Sequence, residues 1–378
     1  MDRRHFLLSS SSSLASAGIV AIAADASAPT AASAQELALQ PQIIYPQQQQ
    51  FRIGYTTNTR GGWEGDPFKG ISEGREVGFR YFEIFGTSFC AVPKEPVAGF
   101  STSRSASSLS EPLKKWPDGY VYVPAKDTMP HTVYYPDNWE VLQHRMYEIG
   151  AQFTAITGGA AGEPNDFSDP ALREAVVRNH FNMARFSRRF GCDHQKTNTG
   201  ARRPGGSTIE DLRNIAAALD QTGKRIAQEL GMRFGPHPHL GSQIQSRQEL
   251  DYIMEHTNPE YVGLVLDTGH FSMAGMDPIA MAKKYHKRVI EYHLKDVKKE
   301  DRGGTKNVPA PTRNQMNDPY FYPLGEGGVD FPGLLAFLNN IKWRGHLTVE
   351  LDASPWRPPK ESARLTAGYI RNVLKLEL

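Results

Sequence analysis

From Phe51 onward, the chain alternates short apolar runs with longer stretches of helical periodicity, a pattern typical of parallel α/β proteins. Eight apolar runs are predicted as strands, at 51–55, 79–85, 152–157, 190–196, 232–236, 261–267, 289–294 and 346–351. The predicted helices lie between or after them, at 138–149, 170–189, 208–230, 246–256, 277–286, 331–341 and 361–375. About eight strand–helix units in one chain favour a closed barrel over an open sheet. The sequence therefore predicts a single (β/α)₈ TIM barrel, an α/β fold, over residues 51–378.

Two long insertions interrupt this rhythm. Residues 88–136 are rich in Ser, Pro and Tyr, and residues 297–325 are rich in Gly, Asn and Pro. Long loops in an otherwise regular barrel often close over an active site. Both insertions are therefore predicted to be functional lids.

The first residues have the order of an export signal. The chain opens with Met1 to Leu8 (MDRRHFLL), which resembles the twin-arginine signal, and an apolar stretch and the small residues Ala32-Ser33-Ala34 follow. A disordered basic tail would explain the arginines but not the small residues at 32–34. We therefore expect a twin-arginine signal peptide at 1–34, a Gln-rich linker at 35–50 and a periplasmic mature protein.

Charge and composition exclude several classes of partner. The chain has 43 Lys and Arg against 41 Asp and Glu, and residues 1–34 contain two of each kind. The mature protein would thus be near neutral, without the basic surface that nucleic acid requires. No apolar run reaches the length of a membrane span. The two cysteines, Cys90 and Cys192, could pair or remain buried thiols. Gln35, not a cysteine, stands directly after the expected cleavage site, so a lipid anchor there is not expected.

Polar residues collect where the last four predicted strands end, the face that holds TIM-barrel active sites. Side chains on a strand repeat every two residues, so residues two apart share a face. The pairs at these strand ends are His237 with His239, His293 with Lys295, and Glu350 with Asp352, and Asp267 ends the sixth strand. A single His or Asp at a strand end is more often a loop cap, but burying several together is costly unless something pairs them. Mixed imidazole and carboxylate ligands suit one divalent ion, Mn²⁺, Co²⁺, Zn²⁺ or Mg²⁺.

Longer motifs in the same region make a family resemblance specific. The segments are PHPHLGSQIQSRQELD, VGLVLDTGHFSMAGMDP, RVIEYHLKDV, FYPLGEGGVDF and HLTVELD. Together they resemble the sugar phosphate isomerase/epimerase superfamily of xylose isomerase-like barrels, and within it most closely the inosose dehydratase branch. The resemblance is strong over the C-terminal half and faint before residue 150.

The resemblance implies one divalent metal held by residues from strands five to eight. Asp267, His293 and Glu350 match three family ligands, and His237 stands where the fourth ligand is usually a Glu. The neighbouring His239 leaves the strand-five ligand open between the two histidines. A His-x-His is usual at this point in the inosose dehydratase branch.

Other residues are expected to contact substrate or to organise the site. His270 matches a family histidine that lies near substrate. Glu83, Lys196 and Trp63 are weaker candidates for substrate contact, with Trp63 stacking on a sugar ring, and each could equally be a packing residue. Glu326 and the glycines of LGEGG are interpreted as a structured loop.

Lys295 has two interpretations. A neighbouring metal cation should lower its pKa and make it a usable general base. Alternatively, Lys295 forms an ion pair with Asp296 or Asp267. Glu350 and His239 are the other candidate bases.

A divalent ion in such a site polarises a carbonyl, which predicts removal of the proton next to it. The resemblance favours β-elimination from a keto-sugar, keto-glycoside or cyclitol, a lyase or dehydratase reaction. An epimerase or aldose–ketose isomerase is the alternative, followed by a non-catalytic sugar-binding barrel. A DNA-repair nuclease is excluded, because its additional metal ligands and positive charge are missing. The sequence leaves a monomer and a homo-oligomer both open.

Overall fold

A computed structural model describes residues 49–64, 66–86, 89–93, 120–124, 139–160, 162–298 and 319–378. The predicted signal peptide, most of the linker and most of both insertions lie outside these residues. Two parts of the first insertion, Phe89–Pro93 and Tyr120–Pro124, pair as antiparallel strands. Among the described residues, no helix is both long and apolar enough to cross a membrane.

Eight parallel strands follow the predicted positions. They are β1 (Phe51–Thr56), β2 (Tyr81–Phe85), β3 (Gln152–Thr157), β4 (His194–Thr197), β5 (Arg233–Pro236), β6 (Leu264–Asp267), β7 (Val289–Leu294) and β8 (Gly345–Val349). One sheet has the order β3-β2-β1-β8-β7-β6, and β4 pairs with β5. Two backbone hydrogen bonds join these sheets, from Gly158 N to Lys196 O at 2.8 Å and from Gly263 N to Phe234 O at 2.6 Å. The strands thus form a closed ring in chain order, and the prediction of a TIM barrel is confirmed.

Helices follow most of the strands. They are α1 (Pro67–Val77), α2 (Trp139–Ile149), α3 (Arg173–Arg188), α4 (Ile209–Leu230), α5 (Arg247–His256), α6 (Thr268–Met273), α7 (Pro278–Tyr285), α8 (Phe331–Asn340) and α9 (Pro359–Asn372). Seven match predicted helices to within a few residues. Short polar caps fix several starts, as in α4, where Thr208 and Asp211 form a capping box.

The sequence analysis missed α1 and α6. Helix α1 contains Gly70 and Gly74, which lower helix propensity and hide the helical signal. A Cβ on Gly74 would lie 2.6 Å from the ring of Phe82. Gly74 therefore permits close packing of α1 on β2, although it lowers the helix propensity of this segment.

The barrel interior is polar, and the apolar core lies between strands and helices. On β7, Tyr292 and Leu294 pack in the apolar core, while Glu291 and His293 point to the other face. All four residues are buried. The alternation places a column of ionisable groups inside the barrel, and that column leads to the candidate site.

Candidate metal centre at the carboxyl ends of the strands

Four predicted ligands converge at the carboxyl ends of β5 to β8. One ligand atom from each of His237, Asp267, His293 and Glu350 lies within 4.8 Å of the other three. His237 Nε2 is 3.4 Å from Asp267 Oδ2, and His293 Nδ1 is 2.7 Å from Glu350 Oε2. All four residues are buried. Of the two histidines on strand five, His237 joins this group, whereas His239 groups with His270 and Asp352.

Hydrogen bonds on the far side of each imidazole orient the two histidines. His237 Nδ1 lies 3.0 Å from Asn198 Oδ1, so its proton can be donated there and Nε2 faces the group. His293 Nε2 lies 3.1 Å from Glu83 Oε2, and Nδ1 faces the group. A carboxylate or amide acceptor behind a histidine is the usual support for a metal ligand.

The DTGH motif has a local structural reason. Asp267 caps α6, because its Oδ1 accepts a hydrogen bond from His270 N at 2.8 Å while Oδ2 remains directed at the ligand group. A Cβ on Gly269 would lie 2.6 Å from Lys295 Cγ. The glycine thus makes room for Lys295 beneath the site.

Burial and neighbouring charges set the protonation of the group. Burial lowers the pKa of His237 to about 3, although Asp267 opposes the shift. Burial also lowers the pKa of His293, but Glu83 and Glu350 outweigh it and raise the pKa to about 10. Against the upward effect of burial, Lys295 holds the pKa values of Asp267 and Glu350 below their ordinary range. Three of the four groups are therefore in the form a metal ligand needs, and His293 would release a proton on binding.

Lys295 is an ion-pairing residue in this structure. Its Nζ lies 2.8 Å from Asp352 Oδ1, 3.1 Å from Glu350 Oε2 and 3.4 Å from Asp267 Oδ2. Burial alone lowers the pKa of Lys295, but these carboxylates raise it above its ordinary value. The carboxylates that surround Lys295 stabilise its ammonium form, and the lowering of its pKa by a bound metal cation stays a prediction. The predicted pairing with Asp267 is confirmed.

Asp296 does not pair with Lys295 among the described contacts. Its carboxylate accepts hydrogen bonds from four backbone N–H groups of the LGEGG loop and the residue after it, at Gly325, Gly327, Gly328 and Val329. The interpretation of this motif as a structured loop is confirmed.

Glu83 and Lys196 form the opposite wall of the ligand group. Lys196 Nζ contacts Glu83 Oε2 and His293 Nε2 very closely, and it lies 3.0 Å from Glu291 Oε2. Burial lowers the pKa of Lys196, but Glu291 and Glu83 raise it above its ordinary value. The sequence analysis named both Glu83 and Lys196, but it missed Glu291, which lies in the middle of β7.

A cavity of about 600 Å³ opens above these residues. Its lining includes six of the predicted site residues, namely Glu83, Lys196, His237, His239, His293 and Glu350. Asp352 also lines it, as do Asn58, Arg60 and Asn198, which the sequence analysis missed. Asn198 stands two residues after Lys196, so the same period of two along β4 could have identified it.

Two predicted substrate contacts lie elsewhere. Trp63 is fully buried, its Nε1 donates to Glu73 at 2.7 Å, and it packs edge-on against Tyr55. It does not line the cavity, so the prediction of sugar stacking is wrong. His270 is also absent from the lining; its Nε2 lies 2.8 Å from Lys295 Nζ, and its ring lies 3.6 Å from that of His239. It supports the site from below.

The two cysteines are not shown to pair. Cys192 is a buried free thiol. The side chain of Cys90 lies outside the described residues.

Comparisons with known proteins agree with the fold and with the motifs. Residues 119–373 match the model of the xylose isomerase-like TIM barrel family. An inosose dehydratase of Clostridium tetani is 33% identical over 165 residues, which are 43% of this chain and 55% of the relative. An inosose dehydratase of Salmonella typhimurium is 31% identical over 162 residues, 43% of this chain and 54% of the relative. The chain thus spans about half the length of the curated relatives it matches.

Solved structures extend the similarity over most of the barrel. A probable 3-DHS dehydratase from Bacillus anthracis aligns with a TM-score of 0.58 at 14% identity, covering 85% of this chain and 100% of that chain. A 3-keto-D-glucoside 4-epimerase from E. coli aligns with a TM-score of 0.55 at 15% identity, covering 85% and 99%. At such identities the likeness supports the fold alone.

Proposed function

The chain belongs to the xylose isomerase-like TIM barrel family, and we propose that it is a metal-dependent lyase that acts on a keto-sugar, keto-glycoside or cyclitol. In this proposal the enzyme removes the proton next to a carbonyl and expels the substituent β to it. The convergence of His237, Asp267, His293 and Glu350 beneath an open cavity is the observation that carries the proposal.

The donor set fits one divalent ion. Two imidazoles and two carboxylates, with ligand atoms within 4.8 Å of one another, suit Mn²⁺, Co²⁺, Zn²⁺ or Mg²⁺. A divalent ion held there supplies Lewis-acid polarisation of the substrate carbonyl. Glu83 and Asn198 hold the two imidazoles in the orientation that this binding requires.

His239 is the residue we assign to proton removal. It lines the cavity, and its Nδ1 lies 2.6 Å from the carbonyl oxygen of Leu240. Since Nδ1 donates to that carbonyl, the lone pair of the neutral ring is on Nε2. Lys295 is unsuited to this role, because it is fully buried, is absent from the cavity lining and is paired with carboxylates.

Donors at the cavity wall would bind the substrate hydroxyls. Arg60 lines the cavity with Asn58, whose side-chain amide also donates to Glu350 Oε1 at 3.4 Å. A neutral sugar, cyclitol or glycoside matches this mixture of donors and acceptors.

Elimination is favoured by the similarity to inosose dehydratases. Epimerisation or isomerisation is the second candidate. It is favoured by the presence of two ionisable groups on different sides of the cavity, Glu83 on β2 and His239 after β5, because an epimerase needs an acid or base on both faces of the intermediate.

The two reactions are distinguished by their products. Metal-loaded protein is incubated with keto-glycosides, inosose and free ketoses in D₂O, and products are followed by NMR and near-ultraviolet absorbance. We expect an unsaturated ketone, and we expect His239→Ala to slow its formation by roughly two to four orders of magnitude while the metal stays bound. His256→Gln, a change at an exposed histidine, is the matched control. A deuterated epimer without enone would instead support epimerisation, and binding without turnover would support the sugar-binding alternative.

We further propose that the protein is exported by the twin-arginine route. The support is the sequence of residues 1–34 alone. Replacing Arg3 and Arg4 with lysines should leave full-length protein in the cytoplasm, because a receptor reads the arginine pair. Mature protein in the periplasm of that variant would contradict this route.

A further inference from the structure

Three groups of potential metal ligands adjoin one another at the carboxyl ends of the strands. They are His237 with Asp267, His293 and Glu350; His239 with His270 and Asp352; and Glu83 with Glu291 and His293. Within each group the ligand atoms lie within 4.8 Å of one another. Only the first was needed as a metal site in the proposed function, so the ligand-type composition of the other two requires an explanation.

A lysine ammonium lies inside the second group. Lys295 Nζ is 2.8 Å from His270 Nε2 and 2.8 Å from Asp352 Oδ1. It also reaches Glu350 Oε2 at 3.1 Å, an oxygen that belongs to the first group. These are one nitrogen and two carboxylate oxygens around a single cation, the kind of set that binds a divalent ion.

The third group has the same arrangement. Lys196 Nζ contacts all three of its members, Glu83 Oε2, Glu291 Oε2 and His293 Nε2. Because His293 faces the first group with Nδ1 and donates from Nε2 to Glu83, the two carboxylates are the ligands that this group offers a second ion. Like Lys295, Lys196 is almost completely buried. The two lysines stand at the ends of different strands and come from unrelated sequence motifs, so the repetition is not a consequence of one local fold.

An ammonium and a divalent ion cannot share such a position. Buried carboxylates need a nearby cation, since an uncompensated buried charge is strongly unfavourable. A lysine satisfies that need permanently, whereas an empty group of this composition would be free to bind a second ion. We propose that Lys295 and Lys196 are built-in cations that fill the two flanking groups and restrict the centre to a single metal ion. Loss of either ammonium opens a second metal site.

The inference rests on the proposed function, because it takes the first group to be the resident metal site. It is tested by metal stoichiometry, which does not depend on activity. Wild type, Lys295→Met and Lys196→Met are dialysed against Mn²⁺ and analysed for bound metal. We expect one ion per chain in the wild type and two in each variant. Lys284→Met, at an exposed lysine paired with Asp251, is the matched control and should bind one.

Two further measurements identify the new position. In Lys295→Met, two Mn²⁺ ions would lie close enough to give a spin-coupled electron paramagnetic resonance spectrum, which the wild type lacks. Adding Asp352→Asn to that variant removes a ligand from the second group, so the stoichiometry should return to one.

Each outcome decides a different question. One ion in the wild type and also one in both lysine variants would contradict the inference and leave the proposed function intact. Two ions in the wild type would also contradict the inference and leave the proposed function intact. A wild type that binds none contradicts the proposed metal dependence itself. If the variants fold only when Mn²⁺ is supplied, an ion replaces the ammonium, as proposed; failure to fold even in excess Mn²⁺ would overturn the proposal.

Discussion

Both ends of the barrel interior carry buried histidines and acidic residues. The two ends differ in whether these side chains reach the cavity and in which partners their nitrogen and oxygen atoms contact. At the carboxyl ends of the strands, His237, His293 and Glu350 line an open cavity. At the amino ends, His194 and His346 group with Asp193, and none of these three lines that cavity. We refer to this second group as the floor cluster.

Two members of the floor cluster, His194 and Asp193, are already engaged by neighbouring side chains. His194 is engaged at both nitrogens, with Nδ1 2.7 Å from Asp193 Oδ1 and Nε2 3.1 Å from Glu291 Oε2. Arg52 and Arg233 also pair with Asp193, at 3.5 and 3.1 Å. Ligand-type residues therefore indicate a site only when their ligand atoms face a common, accessible point. Two nearby arginines also disfavour a metal cation at the floor.

Breaking the ligand group should have the largest effect. Asp267→Ala removes a ligand and also uncovers the charge of Lys295, so we expect loss of the bound metal. Turnover should fall by roughly four orders of magnitude, since Lewis-acid stabilisation is worth several kcal/mol. Elemental analysis and steady-state kinetics measure both. Asp193→Ala, the matched change in the floor cluster, should retain one metal ion; a retained ion in Asp267→Ala would contradict the assignment.

Part of this site follows from the sequence and part does not. The four ligands could be predicted because each stands at the end of a strand and side chains alternate between the two faces of a strand. They are His237, Asp267, His293 and Glu350. The ion pairing of Lys295 cannot be predicted in this way. It depends on Asp352 and Glu350, which lie more than fifty residues further along the chain and reach Lys295 only because β7 and β8 are neighbours.

Aromatic residues give the same lesson. Trp63 follows β1 on the active-site side, which suggested contact with a sugar, but its ring packs against Tyr55. Sequence position identifies which end of a strand a residue occupies. Whether the side chain turns to the cavity or to the outer core depends on the helix packed against it, and α1 was itself missed.

The pH dependence of metal binding depends on His293 in the ligand group and not on His194 in the floor cluster. The pKa of His293 is raised to about 10 and that of His194 is also raised, in both cases by carboxylates that outweigh burial. Only His293 must lose its proton to bind a metal. We therefore expect release of about one proton and an affinity that rises roughly tenfold per pH unit between pH 6 and 8. Calorimetry in buffers of different ionisation enthalpy measures the proton count. A count of zero would contradict ligation by His293.

Glu83 and Asp193 are carboxylates that each contact a histidine, one at each end of the barrel interior, and their substitution compares the two ends. Glu83→Gln keeps the size of the side chain but weakens the acceptor behind His293, and we expect metal affinity to fall about ten- to a hundredfold. The absorption spectrum of bound Co²⁺ should shift as the imidazole reorients. Asp193→Asn makes the same kind of change behind His194 and should alter neither. Equal effects of the two substitutions would mean that the floor cluster also influences the metal.

The smallest expected effect tests the floor cluster alone. Neither ring nitrogen of His346 has a hydrogen-bond partner among the described residues, and burial, reinforced by Arg52, lowers its pKa to about 3. The unfolded chain binds a proton near pH 6.5 that the folded chain excludes, so stability falls as the pH drops below that value. Between pH 8 and pH 5.5, His346 should account for about 1.4 kcal/mol of that loss.

His346→Leu should remove this contribution, so the variant should lose about 1.4 kcal/mol less than the wild type over the same interval. Urea unfolding of both proteins at the two pH values, with chelator present, gives the comparison. Other buried histidines, such as His180, with a pKa lowered to about 4 by burial, contribute equally to both proteins and cancel. Any change in packing caused by the leucine also cancels, because it is the same at both pH values. Equal pH dependence would mean that His346 becomes protonated in the folded protein, so that its buried imidazole would be a charged group rather than a neutral one.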